Sequence, residues 1–190
     1  MGNIYKWLNE PAAFSGTTTD LSLVTRENTD FWQQTFYGFQ RDSGHAYLTP
    51  VSGDFTASVI VRGDYQELYD QAGLMLRIDQ RQWIKTGVEY TDGLMHFSVV
   101  VTNGTSDWSV IPLHGSNAAD AIGVRLTRHG DAVRVQFSIN DAAWQLARLA
   151  PFSSDQASVG IMACSPERGG FEATFNDLTV GAPISRNLHG

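Results

Sequence analysis

Two glycine-containing dipeptides constrain this chain more than any other feature, because they fix which strand residues stand opposite one another. Asp92-Gly93 and Asn103-Gly104 have the composition of two-residue type I′ hairpin turns, whose central positions need positive φ. Around Asp92-Gly93 the pairing begins at Thr91–Leu94 and runs outward through Glu89–His96, Val88–Phe97, Gly87–Ser98, Thr86–Val99 and Ile84–Val101. One face of that hairpin is then apolar. The other carries Lys85, Glu89, His96 and Ser98, a sorting that a one-residue slip would destroy. Counting from Asn103-Gly104 in the same way pairs Thr102 with Thr105, Val99 with Trp108 and Phe97 with Val110. That register predicts Trp108 in the core and Asp107 opposite Val100 on the polar face. The preceding strand is matched by hydrophobicity, since Asp79-Gln80-Arg81-Gln82 is no standard two-residue turn. Placing Ala72, Leu74, Leu76 and Ile78 on the apolar face pairs Ile78 with Ile84 and Arg77 with Lys85.

Period-two alternation, punctuated by turns, continues along most of the chain. It predicts strands at 21–25, 34–40, 46–49, 54–61, 72–78, 84–90, 95–101, 108–113, 121–128, 132–140, 144–149, 158–163 and 171–180, with 64–70 as a lone helical turn. Strands at this spacing, 18 glycines and 10 phenylalanines point to an all-β fold, an antiparallel two-sheet sandwich of the jelly-roll kind, with less than about 10% helix. No linker or charge block divides residues 1–190, so one domain is expected.

Composition narrows the partners. A net charge of −7 with no run of Lys or Arg argues against nucleic acid. The start, Met1-Gly2-Asn3-Ile4-Tyr5-Lys6-Trp7, lacks an apolar leader, and no stretch is long enough for a membrane helix. Cys164 is the single cysteine, which rules out an intrachain disulfide and suits a reducing, cytoplasmic setting. In that setting the Asn103-Gly104-Thr105 sequon and the Arg62-Gly63-Asp64 tripeptide are incidental.

Several phrases resemble a family of largely uncharacterised proteins that includes a yeast regulator of enolase, within the concanavalin A-like lectin/glucanase superfamily. They are Trp7-Leu8-Asn9-Glu10-Pro11, Thr29-Asp30-Phe31-Trp32, Gly53-Asp54-Phe55, Tyr69-Asp70-Gln71-Ala72-Gly73-Leu74-Met75-Leu76, Trp83-Ile84-Lys85-Thr86-Gly87-Val88-Glu89, Ser106-Asp107-Trp108-Ser109 and Cys164-Ser165-Pro166. The resemblance implies a concanavalin A-like jelly roll with a concave sheet of the kind on which superfamily relatives hold carbohydrate. It implies no established catalytic residue.

The candidate ligand-binding site is the polar face derived above: Arg77, Lys85, Glu89, His96 and Ser98, extended by Gln71 and Trp83. Gly73 and Gly87 share that face and would leave room for a ligand. Two facing cations, Arg77 and Lys85, repel unless a carboxylate or an anionic ligand lies between them; with the carbohydrate-holding sheet that the resemblance implies, the expected partner is a small polar ligand, a sugar or sugar phosphate. The alternative is an ordinary solvated face stabilised by cross-strand charge pairs. Glu89 and His96 are the candidate catalytic residues, a base with its orienting carboxylate for proton transfer on a carbohydrate. A third reading, carried by the resemblance, is a regulatory protein contacting a metabolic enzyme. Glycoside hydrolysis fits poorly, because its carboxyl pair stands about 5–9.5 Å apart whereas the register puts Glu89 and Asp107 roughly 16 Å apart.

No cofactor is implied. The five histidines, His45, His96, His114, His129 and His189, lack metal-ligand spacing, leaving only loop calcium near Asp64, Asp70, Asp79 or Asp120 as a metal reading. Cys164 reads as a buried hydrophobe. Trp32, Trp83 and Trp144 are either sugar-stacking rings or the large aromatics that fill a sandwich core; Trp83, on the polar face, is the strongest of the three for stacking and equally a cap on the sheet end.

Overall fold

The computed structural model describes residues 3–152 and 156–188; Met1, Gly2 and His189 lie outside them. Two seven-stranded antiparallel sheets pack face to face. In spatial order the first sheet contains β1 (Lys6–Leu8), β6 (His45–Ser52), β15 (Gln156–Cys164), β8 (Gln71–Asp79), β9 (Gln82–Thr91), β10 (Leu94–Asn103) and β11 (Thr105–Pro112). The second contains β14 (Gln145–Pro151), β13 (Ala132–Ile139), β12 (Ile122–His129), β7 (Phe55–Gly63), β16 (Glu172–Gly181), β3 (Asp20–Val24) and β2 (Ala13–Thr17). A small hairpin of β4 (Phe31–Gln33) and β5 (Gln40–Asp42) lies apart from both.

There is no helix among the described residues, and none long and apolar enough to cross a membrane. The segment 64–70 is a turn, tied by the Asp70 carboxylate, which accepts the N–H groups of Gln66 and Glu67 at 3.0 Å. The strand expected at 34–40 is the turn between β4 and β5; Gln34 and Phe36 take positive φ there, which an extended strand does not allow.

The alternating apolar residues of both sheets meet in one core. Leu74, Leu76, Ile84, Val88, Phe97 and Val99 of the first sheet face Val59, Val124, Leu126, Val135 and Phe137 of the second. The Phe97 and Phe137 rings stack at 4.6 Å. The outer face of the first sheet is also covered. Phe31 and Trp32 pack on Met75, Trp83, Val100, Met162 and Cys164 in a second, smaller cluster.

The β9–β10 register is as read from Asp92-Gly93, including Glu89 opposite His96 and Val88 opposite Phe97. Two neighbouring registers differ. β10 and β11 pair Asn103 with Thr105, Val100 with Trp108 and Val101 with Asp107, one residue from expectation, so the faces of β11 are exchanged. Gly104 alone makes the reversal and donates its N–H to the Arg81 carbonyl at 2.7 Å. β8 and β9 pair Leu76 with Ile84, Met75 with Lys85 and Arg77 with Trp83, two residues from expectation. Gln80 and Arg81 form a tight turn after all, held by the Asp79 carboxylate on the Arg81 N–H at 2.7 Å. A bulge between Arg77 and Asp79 then returns the side chains to their proper faces.

Candidate functional site

The loop from Thr25 to Gly44 builds the cover of the first sheet. Ser165, just past β15, bonds through its side chain to Thr25 and donates its N–H to Thr29 Oγ1 at 3.0 Å. This fixes the loop so that Asp30 reaches over the sheet. One Asp30 oxygen accepts from the Phe31 N–H at 2.7 Å and from Lys85 Nζ at 2.9 Å. Gly44 is required where the loop returns, since a Cβ there would collide with the Phe31 ring and the Cys164 sulfur.

Between this cover, the Tyr69 turn and β11 lies a cavity of about 300 Å3. Its walls are Trp32, Tyr37, Phe39, Tyr69 and Trp108; its polar floor is Asp30, Gln71, Lys85 and Glu89, with Val100, Pro166 and Glu167 completing the lining. The hydroxyls of Tyr37 and Tyr69 meet at 2.8 Å and join the hairpin to the turn on the opposite rim. That bond, with partial burial, pushes the Tyr69 phenol above its ordinary value.

The floor is a buried network. Glu89 is 3% exposed and Lys85 3% exposed. Trp108 Nε1 donates to Ser98 Oγ at 3.2 Å, and Ser98 Oγ donates to Glu89 Oε2 at 2.9 Å. Burial pushes the Glu89 carboxyl up to about 7, opposed by the Lys85 charge and the Ser98 hydrogen bond and reinforced by Asp30. Burial works against the Lys85 charge, but Asp30, Cys164 and Glu89 outweigh it and the ammonium is held above its usual value. The Cys164 thiol is pushed up, chiefly by burial, and is inert as a nucleophile.

Of the predicted residues, Gln71, Lys85 and Glu89 line this cavity, and Ser98 stands behind Glu89. His96 is buried on the same face, but its Nδ1 faces the Leu94 carbonyl at 3.1 Å, while the Glu89 bond shown goes to Ser98. The expected arrangement, Glu89 orienting His96, is therefore corrected: each is held by another group. Arg77 is corrected too. It does not face Lys85; it makes a bidentate pair with Asp42 at 2.8 and 2.9 Å. Each cation has its own carboxylate, and the argument for an anion between them lapses. Trp83 is 0% exposed, bonded to the Gln80 carbonyl and tilted against Phe31, so it caps the small core and offers no face to a sugar. Gly73 and Gly87 pair directly; a Cβ on either would strike the backbone of the adjacent strand, so they serve close strand approach instead of ligand space.

Trp108, assigned to the core by the wrong register, is a cavity wall 37% exposed. Asp107 turns to the sandwich side and pairs with Arg148 of β14 at 2.6 Å, so it shares no face with Glu89. The carboxylates proposed for calcium are engaged as well: Arg168 bonds Asp64 and Asp70, Asp79 holds its turn, and Asp120 accepts from Asn117 and Asn140. No cluster of three or more metal-ligating side chains occurs among the described residues.

Asp30 and Tyr69 were missed as site residues because they sit on a loop and a turn, where alternation says nothing, and Tyr37 and Phe39 because alternation assigns a strand where the chain turns; Trp32 lies on β4. A signal existed. Asp30, Trp32, Tyr69, Gln71, Lys85, Glu89, Trp108 and Pro166 all fall within the phrases that carry the family resemblance, and the fold draws those scattered phrases around one cavity.

Comparison with known proteins shows the family and the fold of the chain. The chain is 47% identical over 184 residues to Regulation of enolase protein 1 of Saccharomyces cerevisiae, covering 96% of this chain and 92% of that one. A solved structure of a functionally unknown protein from Saccharomyces cerevisiae superposes with a TM-score of 0.90 at 46% identity, over 95% of this chain and 97% of the other. At 8% identity, a legume lectin-like domain from Entamoeba histolytica matches 95% of this chain and 90% of its own with a TM-score of 0.61, which shows the concanavalin A-like jelly roll. Residues 7–183 match the family described as Protein of unknown function (DUF1349), and the chain belongs to that family.

Proposed function

We propose that the cavity binds a neutral, hydroxyl-rich small molecule of the carbohydrate class. The observation that carries this reading is the pairing of five aromatic walls with a buried floor of carboxyl, ammonium and amide groups. Aromatic rings cover the apolar faces of a sugar while convergent polar groups take its hydroxyls. The lectin-like neighbour supports the reading at the level of fold. Among sugars, the floor favours neutral ones. Lys85 is already paired with Asp30, and Glu89 and Glu167 add negative charge at the lining, so a phosphate would meet repulsion there.

Calorimetry against neutral mono- and disaccharides and their phosphorylated counterparts tests this. A neutral sugar should bind, with its phosphate ester weaker, and Glu89→Gln should weaken binding modestly. Failure of every neutral sugar to bind, or tighter binding of the phosphates, would overturn the proposal.

A second reading makes Glu89 a proton donor and acceptor to the bound sugar. A buried carboxyl held near neutrality at a cavity wall favours it, and NMR detection of sugar isomerisation during the same titrations would reveal it. The relative's name supports a third, that ligand occupancy is reported to a metabolic enzyme through surface contact. One domain and a cytoplasmic setting belong to this proposal.

A further inference from the structure

A second, smaller cavity, of about 230 Å3, lies on the outer face of the second sheet. Among the described residues its lining includes His129, Arg134 and Arg186 and no carboxylate. In a chain of net charge −7, two arginines and a histidine at one lining need a reason; the acid near them, Asp54, faces His129 from outside that lining.

Their placement follows from the fold. Arg134 stands on β13 opposite Thr127, and His129 on β12 opposite Ala132, so the two are diagonal neighbours on one face, within mutual reach of long side chains. Arg134 is 4% exposed. Its two terminal nitrogens donate to the Asn187 and Ser185 carbonyls, which locks the guanidinium and draws the C-terminal segment, with Arg186 and Leu188, across the sheet. That leaves Nε. It is buried and has no hydrogen-bond partner among the described residues, and the same holds for His129 Nε2. His129 Nδ1 lies 3.5 Å from Asp54 Oδ2, so that edge of the ring faces Asp54 and the Nε2 edge is the one without a partner.

We infer that this cavity is a site for a phosphate group, free or on a small monoester, held by Arg134 Nε–H, the His129 ring and Arg186. A buried nitrogen without a partner is costly, and two arginine charges at the same lining add to that cost. A tetrahedral oxyanion presents acceptors in several directions, which suits donors arriving from β12, β13 and the C-terminal segment. Leu149 and Leu188 form an apolar wall against which the organic part of a monoester would lie. The inference is independent of the carbohydrate reading, which concerns the other sheet.

The test is calorimetry at constant ionic strength in chloride buffer, titrating inorganic phosphate and phenyl phosphate into the full chain and three variants. His129→Asn keeps a donor toward Asp54 and removes Nε2. Arg134→Lys keeps the charge and a donor to the C-terminal carbonyls but removes Nε–H. Arg186→Gln alters only an exposed side chain. The wild type should bind at least one titrant, and each variant should bind it about tenfold more weakly, the loss of one charged hydrogen bond. Tighter binding of phenyl phosphate marks a monoester site using the leucine wall; equal or weaker binding marks a free phosphate site. Absence of binding by the wild type to either titrant, or undiminished affinity in every folded variant, overturns the inference. Should His129→Asn or Arg134→Lys fail to fold, Arg186→Gln decides it.

Discussion

On its inner face the first sheet presents Leu74, Leu76, Ile84, Val88, Phe97 and Val99 to an apolar core, whereas on its outer face the same strands bury Lys85 and Glu89 beside a cavity. The inner face needs only shape. The outer face needs the Asp30 loop, the Ser98–Trp108 relay and the aromatic hairpin, because a buried charge is tolerated only when paired and hydrogen-bonded. Two faces of one sheet thus divide the labour: one holds the fold, and the other spends part of that stability on charged groups buried beside a cavity.

The largest expected effect tests the inner face. Phe97 is fully buried and stacked on Phe137, so Phe97→Ala should cost about 3–5 kcal/mol in urea unfolding. A loss below 1 kcal/mol would mean that the sandwich core is not the main source of stability.

The outer face is sharpened by pH. The Glu89 carboxyl titrates at about 7 in the folded chain against an ordinary value of 4.5. The folded state therefore holds this proton more tightly than the unfolded state does. Its contribution is fully present below the ordinary value and is lost as pH rises through about 7, a decline on the order of 3 kcal/mol. His45 works in the other direction, since burial lowers its value. Subtracting the unfolding curves of Glu89→Gln from those of the wild type across this range isolates Glu89. A flat difference would show an ordinary carboxylate and remove the contrast between the faces.

How much of this was legible in the sequence depends on where the determining contacts lie. Asp92 and Gly93 both take positive φ, as a type I′ turn requires, and the β9–β10 register follows from the dipeptide. Asn103-Gly104 has the same chemistry, yet only Gly104 has positive φ. Its N–H is taken by Arg81 in the neighbouring turn, a contact that no local pattern encodes, and the one-residue change moved Trp108 from core to cavity. For β8 the error was two residues, to which face matching is blind because side chains repeat with period two. Lys85 and Glu89 were legible as a shared face. Their partners were not, because Asp30 arrives from a loop 55 residues away in sequence, and a loop's path is not written in alternation.

The smallest expected effect concerns the relay itself. Trp108 Nε1 donates to Ser98 Oγ, which in turn donates to Glu89, and a hydroxyl that accepts a hydrogen bond becomes a better donor. Trp108→Phe keeps the aromatic wall and removes the N–H. Ser98 can still donate, but less strongly to the ionised form of Glu89. Since that bond holds the Glu89 carboxyl down against burial, its value should rise by a few tenths of a unit, the scale on which one weakened neutral hydrogen bond acts. Stability near pH 5 should hardly change, because Glu89 is then protonated in the folded state and the Trp108 ring is partly exposed. Carbon-13 NMR of the labelled Glu89 carboxyl, titrated in both proteins, reads the shift directly. A lowered value in the variant would mean that Trp108 competes with Glu89 for Ser98 instead of reinforcing it, and the outer face would then be a set of separate bonds with no connected chain from rim to floor.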